Sequence, residues 1–194
     1  MVLPTLRSRA VLALVAVLLT ACAAPPAIPD GTPVTKIAEI PGRNTAEWDL
    51  PTRPSEPAIG GYDPVAYFPE GGGVARRGSP IIAVDAAGVL YLFASAENRA
   101  RFIADPTHYE PAHGSWCSWA MRGGTKTEVD PRSFIVRKGR LFLFYDGIWG
   151  DTRALWLETD HGSSVEVADQ EWAALSGEGP RGGAASPPRP DGSP

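Results

Sequence analysis

The distribution of proline decides where this chain can fold. Pro25, Pro26, Pro29, Pro33, Pro41, Pro51, Pro54 and Pro57 interrupt any regular element before residue 58. Beyond residue 175 the chain is Gly, Pro, Ser and Arg with almost no apolar side chains. Such a segment cannot bury enough surface to offset its ordering entropy. The sequence therefore predicts one folded domain over residues 58–175, between a Pro/Ala-rich tether (22–57), whose Trp48 and Leu50 are candidates to dock on the domain, and a disordered tail (176–194). That central stretch is long enough for a single core, and no internal repeat is read in it.

Ahead of the tether, Arg7 and Arg9 precede an apolar run from Val11 to Leu19. A spanning helix needs roughly 20 apolar residues, so the run reads as the core of an export signal. Leu19-Thr20-Ala21-Cys22 ends it with small residues and a cysteine, as in a bacterial lipoprotein signal. Residues 1–21 would be removed and Cys22 would carry the lipid. An ordinary cleavage near Ala24 is the alternative. Each buried acyl methylene contributes about 0.8 kcal/mol, so the expected partner is a membrane. Ala23 after the cysteine fits the outer-membrane pattern, which in a cell with two membranes places the protein on the periplasmic face. The whole chain carries a formal charge of −4, and loss of Arg7 and Arg9 makes the mature chain more acidic. With no basic cluster or aromatic-basic stripe, nucleic acid is not an expected partner.

Within the domain, Val65-Ala66-Tyr67-Phe68 reads as a short strand after the Gly60-Gly61 turn. Residues 81–84 and 89–93 read as two strands around a turn, and Ser95 caps a helix to Ala104 with Ala100, Phe102 and Ile103 facing the sheet. A short helix is expected over 115–121. Lys138-Gly139-Arg140 joins two apolar strands in a hairpin, and helices are expected over 152–157 and 165–175. Strands without β-α-β alternation give an α+β class, a small antiparallel sheet with packed short helices.

Several blocks resemble the YHS domain in its exported bacterial subgroup. They are Gly60-Gly61-Tyr62-Asp63-Pro64-Val65-Ala66-Tyr67-Phe68, Leu92-Phe93-Ala94-Ser95 through Phe102, Pro111-Ala112-His113-Gly114-Ser115-Trp116-Cys117, and Asp130-Pro131 with the following hairpin. Ala168-Asp169 and Trp172 are similar to its closing helix. The resemblance implies a YHS-like fold and metal binding. Related metal-handling modules carry a cysteine where this chain has Ala66, and His113 replaces a frequent aromatic, while Cys117 matches the family position.

Cys117 and Met121 lie four apart, on one face if helical. With His113 they would form a soft ligand set suited to copper(I), zinc being less favoured by a thioether, while His113 taken alone reads first as a surface or hydrogen-bonded residue. The alternative is a non-catalytic scaffold or protein-interaction domain in which Cys117 fills the core, as free cysteines commonly do. A reactive thiol is a third reading, but no lysine or arginine lies within four residues before Cys117 to favour a thiolate. There is no Gly-x-Ser-x-Gly, no Cys-x-x-Cys and no phosphate-cradling glycine loop, so no enzymatic activity is expected. Asp63 and Asp130, each before a proline, are expected to bond turn amides. His108 and His161 fall in expected connections and read as solvated, and most of the six tryptophans read as core.

Overall fold

In a computed structural model the described residues run from 27 to 182, apart from Thr52 and Pro54. Residues 1–26, with the expected export leader and Cys22, and residues 183–194 lie outside them. The class is α+β. Strand β1 (Thr35–Ile37) pairs parallel with β2 (Ser79–Ala86), which pairs antiparallel with β3 (Val89–Phe93). Helices α1 (Ala96–Ala104), α2 (Pro106–Tyr109) and α3 (Ser118–Met121) follow. Strands β4 (Asp130–Arg137) and β5 (Arg140–Phe144) form a second antiparallel pair, and β6 (Asp146–Gly147) and β7 (Gly150–Asp151) a small third one. Helices α4 (Thr152–Leu157) and α5 (His161–Ser176) close the chain. Among the described residues no helix is long and apolar enough to cross a membrane.

The structure reveals an internal duplication that the sequence reading lacked. Pro57-Ala58-Ile59-Gly60-Gly61-Tyr62 and Pro111-Ala112-His113-Gly114-Ser115-Trp116 adopt the same tight turn. Ile59 sits at φ 54°, ψ 34° and His113 at φ 56°, ψ 34°, both left-handed, with Gly60 and Gly114 following in the same region. The Asp63 amide then donates to Arg76 O (2.8 Å), and the Cys117 amide donates to Thr127 O (2.9 Å). Each unit continues into a bulged hairpin of identical register, Ser79↔Phe93 then Ala83↔Leu92 in one, Asp130↔Phe144 then Phe134↔Leu143 in the other. Both hairpins turn through two positive-φ residues, Ala87-Gly88 and Lys138-Gly139, which matches the twist of the flanking strands. Both run on to a capped helix, on Ser95 and on Asp151. The two hairpins share a core: Leu141 and Leu143 pack with Tyr91, Phe93 and Phe102, and Tyr67 stacks edge-on against Phe134.

Local expectations change in instructive ways. Val65–Phe68 is not a strand. The Asp63 carboxylate accepts from the amides of Val65 and Ala66, as well as Ala94 and Asn98, and this curls the segment into turns. Helix α1 buries Asn98 and Phe102, while Ala100 and Ile103 face outward, because the Asn98 amide group reaches Asp63.

The packed unit extends beyond 58–175 at both ends. Ile40 and Trp48 are buried, and so are Glu178 and Arg181. The Arg43 and Arg181 guanidiniums flank the Trp48 ring at 4.8 and 5.1 Å. Glu110, fully enclosed, pairs with Arg43 (2.6 Å) and Arg181 (3.1 Å), and Arg181 also pairs with Glu178. Burial pushes the Glu110 carboxyl up to about 7 against the pull of the two arginines. Two arginines and two glutamates thus latch the tether and the start of the tail to the core, which the low apolar content of those segments concealed.

Candidate functional site

The second copy of the repeated turn places the residues singled out by sequence. Gly114 and Ser115 have φ of 59° and 72°, which a right-handed helix excludes, so α3 begins only at Ser118. Cys117 becomes the residue that caps it, fully buried. Its sulfur lies 3.3 Å from the Thr152 hydroxyl. That hydroxyl donates its single proton to Tyr145 O (2.8 Å), so the Cys117 thiol is the donor. Cys117 thus bonds the first residue of the helix after its hairpin, as Asp63 bonds Ala94 and Asn98 in the first unit. Met121 packs elsewhere, among Trp48, Ala168 and Trp172.

His113 is enclosed, and both ring nitrogens are engaged. Nδ1 lies 3.0 Å from Ser118 Oγ and Nε2 lies 3.0 Å from Asp169 Oδ1. Burial lowers the imidazole pKa, an effect Asp169 opposes and Arg140 adds to. Burial also raises Asp169, but hydrogen bonds from Arg140 and His113 outweigh it and hold the carboxyl at about 2. An ionised Asp169 beside a neutral imidazole puts the proton on Nε2, which donates to Asp169, and leaves Nδ1 to accept from Ser118. Arg140 completes the relay with a two-pronged pairing to Asp169 at 2.7 and 2.8 Å. The order Ser118–His113–Asp169 has the form of an acyl-transfer relay, yet Ser118 is fully buried and borders none of the described cavities.

The three residues expected to share a metal therefore have separate surroundings: Thr152 for Cys117, tryptophans for Met121, and the Ser118–Asp169 relay for His113. Among the described residues no group of three or more His, Cys, Asp or Glu side chains is arranged to hold a metal ion. The left-handed turn at His113 sets its imidazole against Ser118 and Asp169.

The relay borders a cavity of about 490 Å³ between the Lys138-Gly139 turn and α5. Phe142, Val165 and Ala173 form apolar walls, and Arg137, Lys138 and Arg140 stand at one side. His161 also lines it and is half-buried rather than solvated. Its Nδ1 accepts from Trp156 Nε1 (2.9 Å), and its ring packs edge-on against Phe142. Sequence reasoning missed Ser118, Arg140 and His161 as members of this region. The recurring Pro-Ala-x-Gly-x-aromatic turn was the available signal, since it marks where His113 departs from the first unit. Comparison with protein-family models, with curated proteins and with solved structures finds no match.

One other surface feature stands out. At the tip of the β6–β7 hairpin, Ile148 is 89% and Trp149 85% exposed. Trp149 thus departs from the core role expected of most tryptophans, which Trp48, Trp156 and Trp172 do fill.

Proposed function

We propose that the mature protein is a lipid-tethered, non-catalytic binding domain of YHS-like type. It is held on the cell envelope through Cys22 and, in a cell with two membranes, faces the periplasm from the outer membrane. One observation carries this reading: the groups with chemical potential are consumed inside the fold. The Cys117 thiol donates to Thr152, and both His113 nitrogens are occupied. A metal at His113 would have to displace buried Ser118, at a cost of about 1–3 kcal/mol for the orphaned hydroxyl, or the half-buried Asp169. The copper reading of Cys117, Met121 and His113 is the weaker of the two on this geometry. What the domain offers its surroundings is surface. Adjacent exposed Ile148 and Trp149 have the composition of a protein-contact hot spot.

The test is an anaerobic copper(I) titration of the full chain in lipid nanodiscs against a competing chelator. Wild type and Cys117→Ser should bind alike. Tight binding in the wild type that vanishes in Cys117→Ser would overturn the proposal. Separately, Cys22→Ala should move the protein out of the membrane fraction, and its retention there would overturn the anchoring.

A further inference from the structure

We infer that the cavity between the Lys138-Gly139 turn and α5 is a binding site for a small amphipathic organic anion, an aryl or alkyl carboxylate. Its volume, about 490 Å³, falls in the range of small-molecule sites. Its walls divide by chemistry. Phe142, Val165 and Ala173 supply an apolar surface for a hydrocarbon body. Arg137, Lys138 and Arg140 supply positive charge at the hairpin side, opposed by Glu166 and Asp169. Asp169 and Arg140 neutralise one another, so Arg137 and Lys138 against Glu166 leave one net positive charge. Among the described residues neither Arg137 nor Lys138 forms a salt bridge.

His161 adds direction. Trp156 donates to its Nδ1, so the neutral ring carries its proton on Nε2. That N–H has no hydrogen-bond partner among the described residues, and the ring is held by edge-on packing against Phe142 and Trp156. Burial lowers the pKa of His161, and Arg137, Lys138 and Arg140 lower it further against the opposing pull of Asp160, so the same cationic residues that disfavour a proton there favour a bound anion. Arg140 is locked by Asp169 and by the Arg181 carbonyl, so it forms a fixed wall at little ordering cost with its charge balanced by Asp169, and the free positive charge stands on Arg137 and Lys138.

The test uses the full chain in zwitterionic nanodiscs, titrated calorimetrically with 3-phenylpropionate and with its uncharged isostere 3-phenylpropionamide. The acid should bind at least tenfold more tightly than the amide. Arg137→Glu with Lys138→Glu should weaken the acid at least tenfold while leaving the amide and the far-ultraviolet dichroism unchanged. Ala173→Trp should block both ligands by filling the cavity. Equal binding of acid and amide, or acid binding that survives the double charge reversal, would overturn the anion assignment. Binding that appears only in a chain shortened after Gly182 would overturn it in favour of occupancy by the chain's own residues 183–194. None of these outcomes depends on whether Cys117 binds copper.

Discussion

Replacing His113 with alanine should cost about 3–5 kcal/mol. The imidazole is enclosed, so its removal leaves a cavity, and large-to-small core changes of this size cost about 2–5 kcal/mol. Ser118 Oγ, fully buried, loses its acceptor, an orphan worth about 1–3 kcal/mol. Asp169 keeps Arg140, so its loss is smaller. These effects share one site and are not additive, which brings the total below their sum. Urea unfolding at pH 7.5 reads the loss, and a double-mutant cycle with Ser118→Ala should give a coupling of about 0.5–3 kcal/mol. The sign of the pH dependence follows from the lowered imidazole pKa. The unfolded chain takes up a proton near 6.5 and the folded chain only below that. Acid therefore erodes what His113 contributes, and the gap between wild type and His113→Gln should be widest above pH 6.5 and narrow below it. A loss under about 1 kcal/mol with an additive cycle would refute the relay.

Other consequences are as direct. Glu110→Ala should destabilise by about 3–5 kcal/mol, because Arg43 and Arg181 lose a buried counter-charge; denaturant unfolding checks it. Since burial raises Glu110 from 4.5 to about 7, the folded state holds that proton more tightly, so protonation of Glu110 adds an increment of stability that is full below pH 4.5 and lost as pH rises through 7. Glu110→Gln should remove that component of the stability–pH curve. Asp63→Ala orphans the Val65 and Ala94 amides and the Asn98 side-chain NH2, while the Ala66 amide keeps the Asp63 carbonyl, and should cost about 3 kcal/mol, read as a lowered thermal midpoint. Trp149→Ala should change stability by no more than about 0.5 kcal/mol, since the ring is exposed.

Short-range chemistry was legible in the sequence. The Ser95 cap, both hairpins and helix α4 fall where side-chain type and spacing place them, because each depends on residues a few positions apart. What was not legible depends on distant partners. Val65–Phe68 has strand composition, but a carboxylate two residues earlier takes its amides. Helix α5 begins at His161, earlier than its apolar pattern, because Asp160 caps it through Ser163. Trp48 docks on the domain as its sequence suggests, whereas Arg181 looks like part of a tail until Glu110 and Glu178 tie it to the core. At the candidate site, Cys117 was recognised as the residue of interest, while its partner Thr152 comes from another helix. A hydrogen-bonded role for His113 is legible in the sequence beside the ligand one, but its partners Ser118 and Asp169 follow from the left-handed turn.

Native-state modification of Cys117 by a thiol reagent tests the central account most directly. With the sulfur enclosed and bonded to Thr152, labelling requires unfolding, and a domain stable by 5 kcal/mol or more should react at least about 10³-fold more slowly in buffer than in denaturant. Labelling in buffer within tenfold of the denatured rate would show an open, available thiol and contradict the account.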